Sequence, residues 1–208
     1  MDIKKTIITA AGVIAFLLLV FLGYFWYMNK TYKPGIENLS KENIGIFYCS
    51  YNNDGVSSIV DTITQKLKAD KIEIKPAVPY PTDENAFMTR IKKENEDVSK
   101  VVLNNNIIDI RKYKLIILGT PILDNHPCPV MQKFVITNED RFDKKPVSML
   151  ILYKDNQIPK DTAEFFRYKL YHSIWKPSFV TTVKEKNQLD YEVDLWFNLM
   201  EFKREELR

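Results

Sequence analysis

Both cysteines of the chain fall in two short segments, "YCSYNNDG" (48–55) and "GTPILDNHPC" (119–128), and the second segment also holds one of the two histidines. Cys49 and Cys128 make a disulfide, a thiolate nucleophile or part of a metal site the chemistries to weigh. A catalytic cysteine needs a base held by a third group, and a metal needs three or four ligands. Near Cys128 stand only His126 and Asp124, while His172 falls in a predicted helix. Without spaced ligand pairs, His126 reads as an ordinary loop residue. The thiols stay open between two states, bonded in an oxidising compartment or reduced and buried in the cytoplasm. The first segment is turn chemistry: Ser50, Asn52, Asn53, Asp54, Gly55 and Ser57 surround the start of an apolar-periodic run and read as a turn with a helix cap.

The elements that must position these residues follow from apolar spacing. "IGIFY" (44–48) predicts a buried strand, and Val56, Ile59, Val60, Ile63 and Leu67 recur at helical spacing behind it. "KIEIKP" predicts a second strand and "PYPT" a break. Thr82 or Asp83 caps a charged helix running to about Lys100. Tyr113–Gly119 is the third predicted strand, and Pro129 suits the first turn of a helix. Val147–Tyr153 is a fourth strand, "KDTAEFFRYKLYHSI" a helix, and Phe179–Val183 a fifth strand. The last helix carries Val193, Trp196, Phe197 and Met200 on one face. Alternating helices and doubly apolar strands predict an α/β domain with a parallel sheet covered on both faces. Ligands of such sheets bind beyond the carboxyl ends of the strands. That edge is built from the two segments above and "YKDNQ" after the fourth strand, so Thr120, Leu123, Asp124 and Tyr153 join the candidate residues.

The 208-residue chain has room for one such domain and an appendage. With a net charge of +3 and no Lys/Arg block, nucleic acid is excluded as an expected partner. Residues 6–28, "TIITAAGVIAFLLLVFLGYFWYM", carry no charge and are long enough to span a bilayer as a helix, with Tyr24, Trp26 and Tyr27 at one end. No A-x-A-like site ends the run, so it reads as an uncleaved signal anchor rather than a removable peptide. The division is an anchor over 1–28, a linker over 29–43 and a domain over 44–208. Lysines flank both ends of the span. The short basic tail favours an N-terminus inside the cell, placing the domain outside the cytoplasm.

Three stretches carry a resemblance over about residues 44–185. "FYCSYNNDGVSSIVDTI" is similar to the first strand, phosphate loop and helix of the flavodoxin-like family, in particular its short flavoprotein branch. "IKPAVPYPTDENAFMTRIKKE" resembles that branch's second-strand tail with Pro-Tyr-Pro, and "DIRKYKLIILGTPILDNHPCPVMQKFV" its third strand and aromatic loop. The resemblance implies a doubly wound, five-stranded parallel sheet of order 2-1-3-4-5. It also implies bound flavin mononucleotide (FMN) used for electron transfer. On this chain Ser50, Asn52, Asn53, Gly55 and Ser57 fall at the phosphate, and Thr120, Leu123, Asp124 and Tyr153 around the ring. The pattern departs at the ring, where Leu123 and Asp124 replace two aromatics and Asn125 a glycine. Two functions follow. One is a membrane-anchored flavoprotein passing electrons to or from a membrane partner. The other is a domain that has lost FMN and serves as a binding or scaffolding module in a membrane assembly.

Overall fold

A computed structural model describes residues 12, 14–24, 26, 43–51, 55–104, 109–153, 160–182 and 186–200. Two compact units divide the chain, residues 1–33 and 34–208. In the first, the described residues are helical and their large apolar side chains, among them Phe16, Leu19 and Phe21, are more than half exposed. Among the described residues no helix is long and apolar enough to cross a membrane. Most of the linker (29–43) and parts of the expected span (6–28) lie outside them.

The second unit is built on strand β1, Ile44–Tyr48, buried at every position. Its residues alternate between two cores, as the period of two requires. Ile44, Ile46 and Tyr48 join Val56, Val60 and Trp196 on one face, while Phe47 and Cys49 join Met131 and Phe134 on the other. Helix α1, Val56–Leu67, buries the predicted stripe of Val56, Ile59, Val60 and Ile63. The short strand β2, Asp70–Glu73, alternates half-buried and exposed as befits a sheet edge. Helix α2, Glu84–Glu96, begins where expected, with the Asp83 carboxylate accepting the Ala86 N–H at 2.8 Å. It stops short of Lys100, because Asp97 turns to cap a separate single turn, Val98–Lys100.

Strand β3, Leu115–Leu123, pairs in parallel with β1 and with β5, Pro146–Leu152. After α3, Pro129–Thr137, and α4, Lys160–Lys169, two short strands both lie on β5: β6, Ile174–Trp175, at its start and β7, Phe179–Thr181, at its end. Pro177 lies between them, without an N–H for the ladder, so one edge position is held by two pieces. Its carbonyl accepts the Ser148 hydroxyl and the Trp196 indole N–H. Helix α5, Lys186–Leu199, buries Val193, Trp196 and Phe197, with Met200 just beyond it. The order β2-β1-β3-β5-β6/β7 keeps the expected parallel 2-1-3-4-5 path, but the sheet has seven strands, not five. The split edge supplies one extra, and a hairpin strand β4, His126–Pro127, the other.

Candidate functional site at the carboxyl edge of the sheet

The sheet changes winding direction between β1 and β3, so their carboxyl ends frame the expected crevice. The two strands run close together there. Tyr48 is paired with Gly119, where an added Cβ would stand 2.9 Å from the Cβ of Tyr48. The Cys49 N–H donates to the Gly119 carbonyl at 3.1 Å. Ser50 and Tyr51 follow, both half-buried, and Gly55 precedes α1. Gly55 is the N-cap of α1 in the left-handed region, φ 87°, which glycine takes without steric cost. Glycine brings no side chain to cap the helix itself, and the first turn holds no acidic residue. Ser57 is half-buried beside it. Asn52, Asn53 and Asp54 lie outside the described residues.

"GTPILDNHPC" is not the open loop that its two prolines suggest. β3 continues to Leu123 and turns back antiparallel into β4, pairing Leu123 with His126 and Ile122 with Pro127. Asp124 and Asn125 form the two-residue turn, both left-handed, with φ 53° and 63°. That is the type I′ geometry that Asp and Asn tolerate and most side chains resist. Asp124 thus has a backbone reason to be there. It lines a hollow of about 310 Å³ with Lys92, Asn95 and Glu96 of α2, and with exposed His126. Leu123 is half-buried, and its carbonyl accepts the Asn95 amide at 3.2 Å. Gln132 fastens the other arm, donating to the Pro127 carbonyl at 2.6 Å and to Asn95 Oδ1 at 2.9 Å. Thr120 is fully buried, so the structure does not open it to the crevice. Its hydroxyl accepts the Cys128 N–H at 3.1 Å and donates to the Pro121 carbonyl at 3.0 Å. Tyr153 is half-buried at the end of β5, its N–H bonded to the Thr181 carbonyl at 3.1 Å.

An aromatic cluster that sequence reading missed stands at this edge. The rings of Tyr51 and Tyr80 meet edge to face at 4.7 Å, with Phe87 5.5 Å from Tyr80. The Tyr80 hydroxyl bonds Glu94, and Arg90 lies over the Tyr80 ring at 4.2 Å while pairing with Glu94 at 2.7 Å. Arg90 also donates to the carbonyls of Val78 and Pro79, so the Pro-Tyr-Pro segment is strapped onto α2. The Tyr51 hydroxyl lies 3.1 Å from Cys128 Sγ. Burial, reinforced by the two thiols, raises the Tyr51 pKa well above the usual phenol value, and burial with the Glu94 bond raises that of Tyr80. Cys49 and Cys128 are both fully buried, their sulfurs 2.6 Å apart. Among the described residues no group of three His, Cys, Asp or Glu could hold a metal ion.

No family model and no curated protein matches the chain. Solved structures do. A Bacteroides eggerthii protein assigned as a flavoprotein is 16% identical, over 74% of this chain and 96% of its own, with a TM-score of 0.61. A Lactobacillus acidophilus flavoprotein in complex with FMN is 16% identical, over 74% of this chain and 98% of its own, at 0.57. A flavodoxin, WrbA-like protein from Agrobacterium tumefaciens is 12% identical, over 76% and 94%, at 0.53. The fold is flavodoxin-like.

The residues of this flavodoxin-like domain fit FMN unevenly. The start of α1 carries the electropositive end of the helix dipole with no acidic residue in its first turn, which suits an anion, while Asp54 next to its N-cap in the chain opposes one. The hairpin offers no aromatic for the ring, and Tyr51, Tyr80 and Tyr153 are partly buried and packed against the core.

Proposed function

We propose that this chain is a membrane-anchored flavodoxin-like protein that binds FMN and carries electrons to or from a membrane partner. The observation that carries the reading is the start of α1. It opens at the switch point of the sheet with Gly55 left-handed at its N-cap and no acidic residue in its first turn. Bound FMN would supply reversible one- and two-electron transfer. Ser50, Ser57 and the Gly55 backbone would receive the phosphate, with Asn52 and Asn53 between them in the chain. Tyr51, Tyr80, Tyr153 and Leu123 would give the ring an apolar, largely aromatic seat that limits water. Thr120 would act at one remove, holding the start of α3 against β3. The uncharged run of residues 6–28 supports an anchor in the cell membrane, and the short basic tail ahead of it a domain outside the cytoplasm.

A second reading has its own support. Thr120 and Leu123 spend their polar groups inside the protein, and Asp124 with Asn125 answers to turn geometry. These features favour a fold that has given up FMN and works as a binding module in a membrane assembly. One titration separates the two. Purified chain in detergent is mixed with FMN and followed by absorbance and flavin fluorescence. Saturable quenching, weakened about tenfold or more by Ser57→Asp, supports the flavoprotein; a tenfold loss corresponds to about 1.4 kcal/mol of repulsion at the helix start. Fluorescence that never falls leaves the module reading.

A further inference from the structure

We propose that Cys49 and Cys128 are the two halves of a disulfide, formed by exchange with a small-molecule or protein disulfide, that ties the end of β1 to the start of α3. The sulfurs lie 2.6 Å apart, about half an ångström more than the S–S bond length of about 2.05 Å. Their closeness is set by backbone hydrogen bonds on both sides. Cys49 is held to β3 by its N–H on the Gly119 carbonyl, and Cys128 by its N–H shared between the Pro121 carbonyl and the Thr120 hydroxyl. The period of two along β1 turns Cys49 onto the α3 face, with Phe47. Cys128 is the N-cap of α3, so the bond would join β1 directly to the first turn of that helix.

His126 is exposed on the hairpin, and among the described residues no third ligand completes a metal site. The exchange balances. One thiolate attacks the incoming disulfide and releases one thiol; the second attacks the mixed disulfide and releases the other. Two electrons and two protons pass from the cysteine pair to the acceptor, and one S–S bond is made for the one broken. Both sulfurs are fully buried, so exchange takes place while the edge is open, in folding or local opening, and the finished bond is shielded. The proposal stands whether or not flavin binds.

The test uses the full chain in detergent. One portion is kept in reductant and one is equilibrated with oxidised glutathione, both natively and through unfolding and refolding in urea. Each is then denatured and alkylated. Reduced chain takes two tags, and oxidised chain takes none, with a proteolytic map that joins the Cys49 peptide to the Cys128 peptide. The oxidised form melts roughly ten degrees higher, because the cross-link joins residues 79 apart. Cys49→Ala retains one reactive thiol and loses the dependence of melting on oxidant. Two tags surviving oxidation by both routes, or glutathione adducts without the cross-linked peptide, overturn the proposal, and the wild-type map decides even if the variant fails to fold.

Discussion

Single residues at the sheet's edge are set by contact rather than by chemistry alone. Gly119 is one, because a methyl there meets Tyr48 at the point where β1 and β3 are paired. Gly119→Ala should cost about 1–3 kcal/mol of unfolding free energy in urea, the scale of an overpacked core. Tyr51 and Tyr80 carry a pH signature. Burial holds both phenols protonated in the fold beyond the pH at which an unfolded chain loses the proton, near 10. Their contribution to stability is complete below about pH 10 and falls as pH rises further, since there the unfolded state binds fewer protons. The slope should be about 1.4 kcal/mol per pH unit for each tyrosine. Denaturation series at pH 8 and above should show a steeper decline for the native chain than for Tyr51→Phe with Tyr80→Phe. Equal slopes would mean that the two hydroxyls are not buried as described.

Among the elements, the β3–β4 hairpin decides how the site is read. Its turn asks two consecutive residues to be left-handed, at about 1–2 kcal/mol for an ordinary side chain. Asn125→Gly should therefore be neutral or slightly stabilising, and Asn125→Val should cost more than 1 kcal/mol, in the same urea assay. If both behaved alike, the turn would not be of this type. Helix α2 gives a parallel case. Asp83→Ala removes the acceptor of the Ala86 N–H and should cost about 1 kcal/mol. That loss should also loosen the Tyr80–Arg90–Glu94 strap, read as faster amide exchange in residues 84–90.

For the whole molecule, the sheet and its two cores make one cooperative body, and the apolar run of residues 6–28 is the part that would hold it to a bilayer. On the proposed function, the full chain should sediment with membranes and resist carbonate extraction, whereas a chain lacking residues 1–33 should be released. Release of both forms would remove the anchor from the proposal. Protease added to intact cells should then cut the domain if it lies outside the cytoplasm, and spare it if it lies inside.

The order of elements was legible because period and burial are local. "IGIFY" is short, apolar at every position and rich in β-branched and aromatic residues, as a strand covered on both faces is, and the spacing from Val56 to Leu67 is that of a helix. The parallel path β2-β1-β3-β5 followed from that alternation, and the Pro-Tyr-Pro and third-strand stretches pointed to the flavodoxin-like fold. The hairpin was not legible. Asp-Asn makes a weaker turn signal than Asn-Gly, and the predicted third strand ends at Gly119, two residues before Pro121. It is tolerated because it lies past the Tyr48–Gly119 pairing, where a missing N–H costs no ladder bond to β1. Nor could sequence bring Tyr51 to Tyr80, or Cys49 to within 2.6 Å of Cys128. Those meetings join segments far apart in the chain, and their geometry depends on how β1, α2 and α3 pack together. Residue types and periods determined what the chain can build; tertiary packing decided which side chains meet at the sheet's edge.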